Sequence, residues 1–271
     1  MKNKPPHLIP FFKYHGAGND FIMLDHRAEP TINLGDDQLI ARLCDRHFGI
    51  GADGLIALAE APGFDFEMKY YNADGKVGSM CGNGGRCAVA FARLRGNRKT
   101  HFHFLAADGP HEAYLREMGW VELKMGDVQS VESGKDYFFL DTGSPHYVRL
   151  VGDLPAVDVL AAGRAIRYNE RFKKEGTNVN FVQHDGLGID VATYERGVEG
   201  ETLSCGTGVT ASALAAYLKW GDEKDGPVHV PVRTKGGELD VRFLKTPEGF
   251  TDIWLCGPTQ LVFEGSFSLP G

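Results

Sequence analysis

The chain of 271 residues contains no run of about 18 apolar residues, the length a helix needs to cross a bilayer. Its first residues, MKNKPPHLIPFFKYHG, carry prolines where a secretion signal requires an unbroken apolar stretch, so a cytosolic protein is expected. Cysteine is scarce and unevenly spaced: there are 5, an odd number, and no CxxC. That excludes the disulfide framework of a small secreted domain and leaves free thiols, expected to stay reduced. Positive charge is not in excess either, with 29 Lys and Arg against 36 Asp and Glu for a net charge of −7. General nucleic-acid and anionic-membrane binding are therefore disfavoured. No Walker lysine motif is present, which removes a phosphate cradle. GIGADG at 49–54 satisfies GxGxxG, but a helix precedes it and a strand follows, whereas a dinucleotide fingerprint needs strand, turn, helix. No nicotinamide cofactor is expected.

What is present is an ordinary globular composition, 24% charged and 42% hydrophobic, in a chain long enough for two domains. FFKYHGAGNDFIMLD reads as strand, Gly-rich turn, strand, and DDQLIARLCDRHF at 36–48 as a helix capped by an Asp. LIALAE and FDFEMKYYNADG read as strands, the second half-buried by its alternation. From residue 100 the signal is almost wholly strand, through THFHFLAADG, HEAYLRE and WVELKMG, and the polar stretch 126–136 marks a domain boundary. The second half repeats the plan, with a helix near VLAAGRAIRYNERF and strands in HYVRLV, NVNFVQ and IDVATYERG. The domains are expected at 1–128 and 129–257, with a last strand near 258–271 returning to the first. Short connections predict antiparallel pairing, hence an α+β class with two similar domains.

The chain is organised around a pattern that occurs twice, Cys81 in MCGNGGRCAVAFARL and Cys205 in SCGTGVTASALAAYL, 124 residues apart. Each Cys precedes Gly, a small polar residue and a second Gly, then an apolar run long enough for about three turns of helix. A helix N-terminus offers unpaired N–H groups and a partial positive charge, so a thiolate or a bound carboxylate is stabilised there. Such placement lowers a Cys pKa from about 8.5 into a range of about 3.5 to 7.5. Gly82, Gly84, Gly206 and Gly208 leave the backbone bare for a ligand. If the two tips face one another, two thiols flank one small cavity, which suits removal of a proton from one face of a carbon and its delivery to the other. A lone Cys before a buried helix is more often a packed hydrophobe, and it is the repeat that changes the weighing. Cys44, Cys87 and Cys256 lack the flanking glycines and read as structural.

Other polar residues are weaker signals taken singly. Asn19, Asn72, Asn83 and Asn178 lie at turns or strand ends, where Asn is common for conformational reasons, yet as a set they suit a zwitterionic amino acid. Glu195 and Arg196 form the charged pair nearest to either motif, and Arg matches a carboxylate bidentately, although a surface ion pair explains them equally well. His146 follows a Pro turn that displays side chains and is a candidate for orienting an acid–base group. His101 and His103 share a strand face, but no acidic or Cys partner stands at a metal-site spacing, so they read as surface or packed residues.

Across almost its full length the chain resembles the diaminopimelate epimerase family, through FxKYHGAGNDFI, GIGADG, YNADG, CGNGGRC, GSPH, GTNVNFV, YERGVEGETLSCGTG and VRTKGGEL. The resemblance implies conversion of LL- to meso-diaminopimelate for lysine and peptidoglycan precursors, without pyridoxal phosphate or metal. It implies that Cys81 and Cys205 are the base and acid, exchanging roles with direction. Gly82, Asn83, Gly206 and Thr207 would hold the carboxylate of the reacting centre through their backbone. Asn19, Asn72, Asn178 and Arg196 would recognise the rest of the substrate, with Glu195 and His146 beside the reacting carbon. The implied fold is two similar domains, each a strand-rich barrel round a central helix, and the implied assembly is a homodimer. Three positions depart from some relatives: Gly54 stands for Gln, Ser144 for Asn and Thr207 for Ser, and the first two bear on substrate contacts. Rival readings are a proline or hydroxyproline epimerase, a thiol-redox protein cycling a Cys81–Cys205 disulfide, and a non-catalytic amino-acid-binding module.

Overall fold

The computed structural model describes residues 7–222 and 224–269; the ends of the two expected spans, 1–6 and 270–271, and one residue of the charged loop GDEKDG lie outside the described residues. The chain divides into two compact units, one running to Val121 and resuming at Pro258, the other Glu122–Gly257. The divide falls before the expected 128/129. Glu122 pairs with Arg242 at 2.7 Å, Lys124 pairs with Asp252 at 3.2 Å, and Met125 N–H bonds Ile253 O at 2.8 Å. These contacts assign 122–125 to the second unit. Among the described residues no helix is long and apolar enough to cross a membrane.

The first unit opens with a hairpin of β1 (His7–Gly16) and β2 (Asn19–Asp25), turned at Ala17 and Gly18, both with positive φ. Helix α1 (Asp37–Cys44) starts at Asp36, whose carboxylate accepts from Leu39 N–H at 3.0 Å. It stops at Cys44 rather than near 48, because Asp45 turns extended and its carboxylate takes the N–H groups of His47 and Phe48. Then follow β3 (Gly54–Ala59), β4 (Phe66–Asn72), helix α2 (Gly82–Leu94), β5 (His101–Ala106) and β6 (Gly109–Leu115). A 3₁₀ turn at Glu117–Gly119 leads into β7 (Trp120–Lys124).

The second unit continues with β8 (Val131–Ser133), β9 (Tyr137–Asp141), β10 (Pro145–Leu150), α3 (Val159–Arg167), β11 (Asn178–His184), β12 (Ile189–Glu195) and β13 (Gly200–Thr202). Helix α4 (Gly206–Trp220) precedes β14 (Gly226–Thr234), β15 (Gly237–Thr246) and β16 (Gly249–Pro258). The last strand, β17 (Gln260–Leu269), pairs antiparallel with β1 in the first unit, from His7↔Leu269 to His15↔Gln260.

The pairing is mixed, not purely antiparallel as short connections had predicted. Hairpins β1/β2, β3/β4 and β5/β6 are antiparallel, but β2/β3 and β4/β5 are parallel because α1 and α2 cross between them. The second unit repeats this order: β9/β10, β11/β12 and β14/β15 are antiparallel, while β10/β11 and β12/β14 are parallel across α3 and α4. The class is α+β, with the same succession of hairpins and crossover helices in both units.

Sheet faces decide where each crossover helix goes. Ile22, Leu24, Leu55 and Ala57 pack in one buried cluster with Ile40 and Leu43 of α1. Their alternate neighbours face the other way, so FIML at 21–24 is buried on both sides and reads as a continuous apolar run. That other face meets α2, which packs against β1, β2, β3, β4 and β6 and is buried from Gly82 through Val89. In the second unit, Val179, Phe181, Ala192 and Tyr194 cluster with Val159 of α3. There Gly163 is required by proximity, since a Cβ would lie 2.4 Å from Tyr194 Cβ. The opposite face holds α4, packed against β9, β10, β11, β12, β14 and β15. Each unit thus surrounds one nearly all-apolar helix with strands, the placement such a helix requires.

Candidate active site

Both motif cysteines are the N-cap residues of the two central helices, with the same backbone geometry: Cys81 at φ −113°, ψ 119° and Cys205 at φ −119°, ψ 113°. Neither cap is closed by a side chain. The first intrahelical bonds run from Gly85 N–H to Cys81 O at 2.7 Å and from Val209 N–H to Cys205 O at 2.8 Å. The amides ahead of them, at 82–84 and 206–208, have no intrahelical acceptor, the arrangement that favours an anion at a helix N-terminus. Cys81 is half-buried and Cys205 is 8% exposed. Both helices are buried from their first turn onward, and only their C-terminal ends, Arg93–Leu94 and Lys219–Trp220, are exposed.

The second glycine of each motif does something other than open the backbone to a ligand. A Cβ on Gly84 would lie 2.9 Å from Ile56 Cδ1 and 3.2 Å from Met68 Cε; one on Gly208 would lie 2.4 Å from Asn180 Nδ2. Those positions are bare so that strand side chains can pass beneath the thiol, apolar ones under Cys81 and an amide under Cys205.

Around Cys81 the first unit builds a polar relay. The thiol donates to Asn19 Oδ1 at 3.5 Å, and Asn83 Nδ2 donates to the same oxygen at 3.4 Å. Asn83 Oδ1 in turn accepts from Arg86 Nη2 at 2.8 Å, and Arg86 is wholly buried in α2. Asn19 cannot turn its oxygen away, because its Nδ2 donates to Asp53 Oδ2 at 2.7 Å. Asp53 is held by Arg46 at 2.8 Å, and Arg46 also grips Asp20, which pairs with Lys13 Nζ at 2.7 Å. Lys13 also donates to Gly51 O. Burial alone would raise the Asp20 pKa, but hydrogen bonds from Arg46 and Lys13 outweigh it and hold the carboxyl well below its usual range. The GIGADG segment therefore lies in the α1–β3 loop and fastens Asn19. Asn72 closes β4 with an exposed side chain.

Around Cys205 the second unit buries its polar groups more deeply. Thr207 Oγ1 lies 3.5 Å from Cys205 Sγ, 2.9 Å from His146 Nε2 and 3.2 Å from Ser144 Oγ, with Ser144 Oγ 3.0 Å from His146 Nε2. His146 is not displayed after its Pro turn but completely buried, because β10 turns its ring inward beneath the α4 tip. Burial pushes its pKa down to about 4, against the opposing effect of the hydrogen bond it donates to Asn180. Asn180 Nδ2 donates to Thr193 Oγ1 at 2.7 Å, so its Oδ1 faces His146 Nδ1 at 2.8 Å and accepts the ring proton. That assigns a neutral imidazole protonated at Nδ1, with Nε2 as an acceptor for Thr207 or Ser144. Thr142 Oγ1 anchors the Thr207 carbonyl at 2.8 Å.

Asn178 acts mainly on its own unit: Nδ2 donates to Ser144 Oγ and Pro145 O, both at 3.1 Å, and Oδ1 accepts Arg196 N–H at 2.9 Å. The Arg196 guanidinium is exposed and donates to Glu175 O at 3.1 Å, while Glu195 accepts from Thr202 Oγ1 at 2.9 Å. Burial raises the thiols of Cys44 and Cys87 to about 12 and that of Cys256 to about 11, the reverse of what a nucleophile or base requires. Reading the sequence missed Asp53, Arg46, Asp20 and Lys13 on one side and Asn180, Thr142 and Thr193 on the other. Asn180 was the most accessible of these, a polar residue inside the apolar run NVNFV of a buried strand.

The diaminopimelate epimerase family model matches residues 11–131 and 138–250. A diaminopimelate epimerase of Flavobacterium psychrophilum is 46% identical over 259 residues, covering 94% of this chain and 99% of the relative. One of Chlorobaculum tepidum is 43% identical over 262 residues, covering 94% and 99%. Among solved structures, a phenazine biosynthesis protein of the PhzF family from Bacillus anthracis superposes with a TM-score of 0.74 at 13% identity, covering 97% of this chain and 99% of that one, a likeness of fold alone. With an N-cap cysteine on each of two matching helices and relatives of this identity over almost their whole length, the chain belongs to the diaminopimelate epimerase family.

Proposed function

We propose that this isomerase interconverts LL- and meso-2,6-diaminopimelate with Cys81 and Cys205 as its acid–base pair, supplying lysine and peptidoglycan precursor synthesis. One thiolate takes the α-proton and becomes a thiol. The other thiol gives its proton to the opposite face of the same carbon and is left as the thiolate, so the configuration inverts and the two sulfurs exchange states. The carbanion-like state shifts charge onto the α-carboxylate. Amides at Gly82, Asn83, Gly206 and Thr207 stabilise that charge without rearranging, and one such donor is worth about 2.7 to 4 kcal/mol. Asn19, Asn72 and Arg196 recognise the remainder of the substrate, Asn178 contributes through the position it gives Arg196, and His146 and Glu195 supply polar surroundings. Side chains alone provide the proton donors and acceptors in this scheme, so it requires no cofactor.

The observation that supports this reading above the others is the repeated open N-cap, with a thiol beside a polar oxygen in both copies: Asn19 Oδ1 for Cys81 and Thr207 Oγ1 for Cys205. Thiols in these roles must remain reduced, which favours the cytoplasm, and a homodimer is the assembly the family resemblance implies. The test is epimerisation of LL-diaminopimelate in deuterated water. The purified chain should incorporate solvent deuterium at the α-carbon, and Cys81→Ala or Cys205→Ala should each lower turnover by about 10² to 10⁴. Full turnover in either variant would end the paired-thiol scheme.

A further inference from the structure

The inward face of β5 carries Phe102 and Phe104, both fully buried, with Phe104 stacked on Phe66 at 4.9 Å. The outward face is chemically different. His101 and His103 project from it two residues apart, and the β5/β6 register sets Glu112 opposite His103 and Tyr114 opposite His101. His101 Nε2 lies 2.8 Å from Glu112 Oε1, the two imidazole centroids are 4.4 Å apart, and one donor atom from each of the three residues lies within 4.8 Å of the others. The acidic partner that HFH lacked along the sequence is thus supplied across the hairpin.

We propose that His101, His103 and Glu112 bind a divalent transition-metal ion of the zinc type, with water completing the coordination. Two imidazoles and one carboxylate, with a position left open, make a donor set suited to zinc, copper or nickel. Magnesium and calcium take all-oxygen sets instead. Ligand atoms at about 2.0 to 2.2 Å in a tetrahedron stand about 3.3 to 3.6 Å from one another, so side-chain rotation closes the set and the backbone stays in place. The platform is rigid: the hairpin is fully paired, and His103 N–H is tied to the Asp65 carboxylate at 2.9 Å. Tyr114 stacks on His101 at 4.3 Å and 9°, fixing the ring plane, and its hydroxyl donates to Glu112 Oε1 at 3.4 Å. Arg116 lies over the Tyr114 ring, 4.8 Å from its centroid. The His101 and Glu112 side chains are 40% and 27% exposed, which leaves an entry path. A bound ion would cross-link β5 to β6.

Chelator-treated full-length chain titrated with ZnCl₂ by calorimetry tests this. The expected result is one saturable zinc equivalent at this face, at least tenfold weaker in His101→Gln, His103→Gln and Glu112→Gln, with the zinc-dependent rise in Tm lost from the His101→Gln/His103→Gln double variant. The Co²⁺ spectrum should lack thiolate-to-metal charge transfer. Unchanged affinity and stoichiometry in a folded double variant, or a charge-transfer band that places the ion on cysteine, would overturn the proposal. Should the double variant fail to fold, the ¹⁵N imidazole resonances of the unaltered chain decide: shifts at His101 and His103 on adding zinc support the site, and unmoved resonances at saturation refute it.

Discussion

Asn180 stands where a side chain at position 208 would be: a Cβ on Gly208 would come within 2.4 Å of Asn180 Nδ2 and 3.3 Å of its Cγ. The glycine after Thr207 is therefore tied to a buried amide on the neighbouring strand, and that amide sets the hydrogen-bonding state of His146.

The two motif copies should respond unequally to the same substitution. Gly208→Ala forces a packed, hydrogen-bonded amide to move and should cost about 1 to 3 kcal/mol in urea unfolding. Gly84→Ala meets the flexible ends of Ile56 and Met68, with Cys81 Cβ at an ordinary 3.5 Å, and should cost less. Most of the Gly208→Ala penalty should vanish in an Asn180→Ala background, which a double-mutant cycle reads directly. Purely additive costs would separate the two residues.

Asn180→Leu removes the acceptor for His146 Nδ1–H and should destabilise the chain by about 1 to 3 kcal/mol. Imidazole ¹⁵N spectra should show loss of the single Nδ1-protonated form. Asn180→Asp should instead raise the His146 pKa above its value of about 4, since a carboxylate favours imidazolium. A tautomer unchanged in Asn180→Leu, or a pKa unmoved in Asn180→Asp, would contradict the geometry.

Stability should fall on mild acidification. His146 titrates near 4 folded and near 6.5 when exposed in the unfolded chain. Between those values the unfolded state binds the extra proton, so this contribution is complete above about pH 6.5 and is lost as pH falls toward 4, at up to about 1.4 kcal/mol per unit. His26, also depressed by burial, acts in the same direction. The depressed carboxylates Asp20 and Asp25 lose their contribution at lower pH still. Comparing unfolding at pH 7 and pH 5 should show a shallower dependence in His146→Gln, and equal slopes would exclude His146 as the titrating group.

Asp53→Ala frees the Asn19 amide to rotate and so deprives Cys81 of a fixed partner. Turnover efficiency should drop about tenfold, equivalent to about 1.4 kcal/mol. Stability should change by less than about 1 kcal/mol, because the Arg46–Asp53 pair is 55% and 46% exposed. A loss of stability with kinetics intact would make Asp53 merely structural.

Much of this architecture is legible along the chain. The Asp caps of α1 and α3, the β1/β2 turn at Ala17 and Gly18, and the largely apolar bodies of α2 and α4 depend on neighbours three or four residues away. Strand direction is not of that kind. Parallel pairing of β2 with β3 follows from α1 folding back over the sheet, which periodicity does not encode. Burial of His146 likewise depends on which face of β10 meets α4.

The sequence by itself determined that two cysteines cap two matching helices, since a Cys-Gly-polar-Gly start and an apolar body are local features. Only the tertiary structure decided what each thiol touches. Cys81 meets Asn19 from 62 residues away, Asn19 meets Asp53 from 34, and His146 meets Thr207 from 61. Partners at such separations are selected by strand register and by which side chains fit against a glycine, and both exist only once the sheets have closed around their helices.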